Sequence, residues 1–232
     1  MRARAAAWAV AAMVGLGACA NPEQRFEEFG ERIGPAPGPG CEVTVPCAAP
    51  EPGVIDGDFL FAISSVTTRT SPVVFTAKVT TSRKSGASTT DINLVFQPLR
   101  YADRKSPTDD TPIDIGTYPI RPDSLWSAEL PPLTISGQAN PITKDAAITA
   151  EVSFCGQLCA EGGPGAETKP DSGPAGVAPD FYCGAISGNV TSPTEIDLAG
   201  SNYTMRRLTG TDPASIPDDV EIDCQHGLAK PL

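Results

Sequence analysis

One histidine, His226, stands in 232 residues, inside the tail DCQHGLAKPL. Imidazole is the side chain whose ordinary pKa suits proton transfer near neutral pH, so a Ser–His or Cys–His pair has a single possible base. At that terminal position it reads as a solvated side chain. The chain also lacks a G-x-S-x-G elbow, an S-x-x-K pair, a P-loop and a dinucleotide-binding fingerprint. Ser187, in GAISGNV, has the wrong spacing for an elbow. Nothing here assigns catalytic residues, and the expectation is a protein that is not an enzyme.

Positive charge is scarce: 17 Lys and Arg face 28 Asp and Glu, for a net charge of −11. Nucleic acids and broad anionic surfaces call for basic patches, so no nucleic-acid partner is expected. Long apolar runs are missing too. The longest, Ala5–Leu16, falls short of the ~20 residues a membrane-spanning helix needs. With 24 Pro and 22 Gly the chain is turn-rich, and no stretch keeps a 3.6-residue apolar period, which excludes a helical bundle.

Metal-binding patterns are equally thin. The acids Asp56/Asp58, Asp109/Asp110 and Asp218/Asp219/Glu221/Asp223 lack the D-x-D-x-D-G spacing of a calcium loop. Cys155 and Cys159 have no neighbouring His or Met to complete a soft-metal set. Neither a metal nor a cofactor is expected.

What the sequence does have begins at its first residues. Arg2 and Arg4 lead the twelve apolar residues, and Leu16-Gly17-Ala18-Cys19 follows. This is the arrangement of a secretory leader, and the last four residues resemble the lipobox of bacterial lipoproteins. The resemblance implies cleavage after residue 18, a diacylglyceryl group on the Cys19 thiol and acylation of its amine. Several acyl chains on one residue exceed the two-signal threshold for stable anchoring, so the membrane becomes a partner through the N-terminus. Ala20 in place of Asp implies the outer membrane of a Gram-negative bacterium, on either its periplasmic or its surface face. Ala18-Cys19-Ala20 also satisfies the A-x-A pattern of a soluble secreted protein.

Setting Cys19 aside leaves Cys41, Cys47, Cys155, Cys159, Cys183 and Cys224. An even set in an exported chain reads as a disulfide framework. Cys41 and Cys47 are close enough to close the small loop CEVTVPC. The other four would then form two bridges near the base of a long Gly/Pro loop.

The chain divides into a leader (1–18), an anchor and tether (19–53) and a β domain (54–232). Half of residues 34–53 are Pro or Gly, the composition of an extended, semi-stiff linker. Beyond it, period-2 alternation recurs. Phe59, Phe61 and Ile63 share a face, as do Val73, Phe75, Ala77 and Val79; Ile92, Leu94 and Phe96; and Ile148, Ala150, Val152 and Phe154. Such alternation marks half-buried antiparallel strands. WSAEL, LTIS, DFYCGAISGNVT, EIDL and NYTMRRL add weaker candidates. Seven to nine strands suggest an all-β, antiparallel two-sheet sandwich, with a closed barrel as the second architecture.

Residues 100–124 and 161–180 break the rhythm and read as long loops, the second as disordered, with nine Gly or Pro in twenty. Tyr101, Tyr118 and Trp126 gather around the first loop and form a possible ligand patch. The run FYCG…SGNVTSP…DLAGSNYT resembles exported lipoproteins of the myxobacterial type. That resemblance implies an outer-membrane setting and a β domain, and carries no known activity. The leading reading is a lipid-anchored envelope domain of binding or structural role, with an envelope protein or a glycan as partner. The alternative is a carbohydrate-binding or carbohydrate-cleaving domain that uses the 100–126 region.

Overall fold

A computed structural model describes residues 47–159 and 180–232. The leader, Cys19, Cys41 and nearly all of the 161–180 segment lie outside the described residues. The described residues form ten strands: β1 Gly57–Ser64, β2 Val73–Ser82, β3 Thr90–Pro98, β4 Ile113–Ile120, β5 Leu125–Glu129, β6 Leu133–Ile135, β7 Ile148–Gln157, β8 Phe181–Ser192, β9 Ile196–Asp197 and β10 Ser201–Arg207. Every pairing is antiparallel.

The order is an up-and-down meander that closes on itself. β1 to β5 pair in sequence. β5 pairs with residues 153–157 of β7, and β6 takes over the same edge at residues 148–150. β8 lies along the other edge of β7, and its outer edge is shared by β10 and β9. β10 then pairs with β1, setting Phe61 opposite Met205. The result is a closed eight-position barrel. The sandwich expectation is therefore corrected to its alternative: the β7–β8 and β1–β10 pairings join what would have been two sheets into one ring. Closure also removes the open edges a sandwich keeps.

Period 2 sets the inside. Phe59, Phe61, Phe75, Ala77, Val79, Ile92, Leu94, Phe96, Val152 and Phe154 all enter one buried cluster. Phe61 is its hub, with ring centroids 4.7 Å from Phe96, 5.2 Å from Tyr203 and 5.4 Å from Phe154. Outward neighbours such as Thr76, Lys78, Thr80 and Asn93 remain half-buried or exposed. A wall apolar inside and polar outside is the reverse of a lipid-embedded barrel.

β1 departs from simple alternation because both of its faces are covered. Leu60 and Ala62 point outward, and with Val74 and Leu99 they pack under Leu208, Ile216 and Val220. The segment after β10 thus straps the outside of the barrel. It is held by Thr204 Oγ1 donating to the Glu221 carbonyl (2.6 Å) and by the Cys183–Cys224 disulfide. His226 belongs to this strap: its ring lies 2.8 Å from a Glu221 carboxylate oxygen and 4.4 Å from the Phe181 ring. The expected free, solvated imidazole is thus a packed one.

Three further expectations change. Cys47 pairs with Cys159, not Cys41, across 112 residues; Cys155 is also disulfide-bonded. The small-loop pairing and the confinement of Cys159 to the other group are both overturned, because residues 47–50 lie against the barrel instead of trailing from it. The Pro50 carbonyl accepts from Thr90 Oγ1 at 2.9 Å, and Ala49 packs on the core. Finally, the 100–124 region is not all loop, since it contains β4.

Candidate functional site

The two ends of the barrel differ. At one end the interior is filled. The Trp126 indole donates to the Tyr203 hydroxyl at 3.0 Å. The Arg207 guanidinium lies 4.7 Å from the Phe59 ring centroid and donates to the Asp56 carbonyl at 2.7 Å. Burial pushes the pKa of the Tyr182 and Tyr203 hydroxyls well above the usual phenol value, so both stay protonated. This end offers stacking and hydrogen bonds that are already spent on the fold.

At the other end the interior opens. Ile63, Val73 and Phe75 from β1 and β2 meet Leu133, Ile135, Ile148, Ala150 and Val152 from β6 and β7, with Val190 and Ile196 completing the ring. They enclose a cavity of about 90 Å³. Its walls are apolar, and Ser65, Thr68, Ser71, Asn140 and Thr143 supply the polar rim. The rim is built rather than loose. Asn140 is buried; its amide donates to Thr143 Oγ1 (2.7 Å) and to the Ala146 carbonyl (2.8 Å), while its oxygen accepts from the Ile142 and Thr143 N–H groups. These bonds hold the 140–146 turn with Ile142 half exposed over the mouth. Gly137 allows the turn to close, since a Cβ there would sit 2.3 Å from the Asp145 carbonyl carbon.

Beside the mouth lies a second, wider concavity of about 680 Å³, bordered by Arg100, Tyr101, Arg104, Lys144 and Lys230. Arg104 is 5% exposed and donates from Nη1 to the Lys230 carbonyl at 2.9 Å, while its Nε has no partner. Its guanidinium and the Lys144 ammonium lie 5.7 and 5.8 Å from the Tyr101 ring centroid, within cation–π range. Burial lowers the pKa of Arg104 from its ordinary value, opposed by Tyr101. Arg100 is paired with Asp109 at 2.8 Å. Among the described residues Arg104, Lys144 and Lys230 have no carboxylate partner within 4.0 Å. Ser71 and Asn140 line both concavities.

The three aromatics read as one patch are dispersed. Trp126 is 1% exposed inside the barrel. Tyr118 sits on β4 and donates to the Ile115 (2.9 Å) or Glu129 (3.1 Å) carbonyl. Tyr101 alone borders a cleft. Sequence reasoning missed Arg104, Lys144 and Asn140. The available signal was RYADRK, a cation run between strands in a chain of strongly negative net charge. Among the described residues no group of three or more His, Cys, Asp and Glu is placed to hold a metal ion.

No family model, no curated protein and no solved structure matches this chain.

Proposed function

We propose that this protein is a binding module of the cell envelope, tethered to the outer membrane through an acylated Cys19, and that the open mouth of its barrel takes a small apolar ligand. The observation that carries the reading is the apolar cavity bounded by Ile63, Val73, Leu133, Ile148 and Ala150. An eight-stranded barrel is just wide enough either to be filled by its own side chains or to hold one small ligand. Here one end is filled and the other is not. Concave apolar sites with a few placed polar groups are the usual form of small-molecule sites. The burial of Trp126 removes the stacking platform that a carbohydrate site would use, which favours the apolar reading.

Titration with a neutral fluorescent naphthylamine tests it. Saturable enhancement is expected, and Ala150→Leu, which fills the mouth, should abolish it without lowering the melting temperature. Enhancement that is unsaturable, or indifferent to Ala150→Leu, would refute the site. The anchor is tested separately. Mass spectrometry of the mature N-terminus should find acyl chains on Cys19, and a free terminus at Asn21 would refute the lipoprotein reading.

A further inference from the structure

Building on that reading of the mouth, we propose that the ligand is an amphiphilic anion, with an aliphatic chain end in the barrel mouth and a carboxylate or phosphate head on the adjoining cationic cleft. Three observations converge. The cleft and the mouth are neighbours, sharing Ser71 and Asn140 and spanned by one turn, which carries Ile142 at the mouth and Lys144 at the cleft. The cleft gathers Arg100, Arg104, Lys144 and Lys230 in a chain whose net charge is −11. Three of those four lack a carboxylate partner among the described residues, and Arg104 keeps an unpartnered Nε at a position 5% exposed.

The mouth cannot take a charged head itself. Its walls are apolar and its rim offers hydroxyls and amides but no cation, so an anion drawn inside would lose its hydration without a partner. Placed on the cleft, the same anion meets ammonium and guanidinium donors, which form the stronger, charge-assisted hydrogen bonds. A broad anionic surface is disfavoured by the overall charge, so the cleft suits the capture of one head at a time.

Calorimetric titration of the whole exported protein with dodecanol, dodecanoate, dodecyl phosphate and inorganic phosphate tests the proposal. Dodecanoate or dodecyl phosphate should bind at least tenfold more tightly than dodecanol, and the preferred one identifies the head. Lys144→Gln/Lys230→Gln removes two exposed charges. It should bring the anionic amphiphiles to within about threefold of dodecanol and leave dodecanol binding and the melting temperature unchanged. Equal affinity for dodecanol and both anions would overturn the anionic head while the mouth stands. Inorganic phosphate binding as tightly as dodecyl phosphate would overturn the amphiphile, leaving a free-anion cleft. Failure of all three long-chain compounds would overturn the mouth reading itself.

Discussion

Trp126 on β5 donates its indole N–H to the hydroxyl of Tyr203 on β10 at 3.0 Å, across the interior of the barrel. Two strands, β7 and β8, stand between them in the ring. Where the Tyr203 ring passes, those strands carry Gly156 and Gly184, which face each other in register. A Cβ on Gly156 would lie 2.0 Å from the Tyr203 oxygen, and one on Gly184 would lie 2.3 Å from the Cys155 carbonyl oxygen. The glycines make room for the ring.

That relationship predicts a coupled pair. Gly156→Ala should destabilise by about 1–3 kcal/mol through overpacking. Tyr203→Phe, which removes one hydrogen bond, should cost about 0.5–1.5 kcal/mol. In the Tyr203→Phe background the alanine meets no hydroxyl, so the double variant should be more stable than the sum of the single losses predicts by at least ~0.5 kcal/mol. Urea midpoints for the four proteins decide it, and strict additivity would refute the contact.

The disulfide framework is checked by peptide mapping under non-reducing conditions. The expected linked peptides join Cys47 to Cys159 and Cys183 to Cys224, and a peptide joining Cys41 to Cys47 would contradict the fold. Replacing Cys47 and Cys159 together by Ser should cost about 2–4 kcal/mol, since the bridge closes a long loop.

Side chains on β1, β2 and β3 should sort by cover, not by which way they face. Phe96→Ala, an inward position on β3, should cost about 3–5 kcal/mol, and Leu60→Ala, outward but under the strap, about 2–5 kcal/mol. Lys78→Ala, outward and exposed, should stay within about 0.5 kcal/mol. A cheap Leu60→Ala would mean that the strap does not pack there.

Acid should loosen the loop that carries Arg104. Burial opposes ionisation of Asp103, but the Ser106 hydroxyl (2.6 Å), the Lys105 and Ser106 N–H groups (3.0 Å each) and the charge of Arg100 outweigh it and hold its pKa below 3.8. A depressed carboxylate stabilises the fold above its unfolded pKa and loses that contribution as pH falls through the folded value. Thermal stability should therefore hold above about pH 5 and decline below 3.8. Asp103→Asn should flatten that part of the decline; an unchanged profile would exclude Asp103.

The inward faces of β2, β3 and β7 were legible because each strand alternates apolar with polar residues, whereas β1 is apolar on both faces. β4 was not legible. Gly116, at φ +94°, moves the inward set from Ile113 and Ile115 to Tyr118 and Ile120, and Pro119 falls within the strand. Its pairing with β3 shifts register between Asn93 and Val95, so no single period describes IDIGTYPI. Closure was invisible for a different reason. Alternation says which face is buried, not which strand lies beside which, and only the β1–β10 and β7–β8 pairings separate a barrel from a sandwich. The cleft escaped notice because Arg104, Lys144 and Lys230 come from three separate parts of the chain.

The meander order has a kinetic consequence. Apart from the short β6 and β9, each ring neighbour is also the next strand in sequence except at one seam, where β1 meets β10 across most of the domain. Hairpins can zip early at small entropic cost, whereas the seam must wait for the ring to curl round. Until then β1 and β10 are bare edges, and FLFA is the most adhesive segment left uncovered. The rate of that last closure sets how long a newly made chain stays exposed to its neighbours.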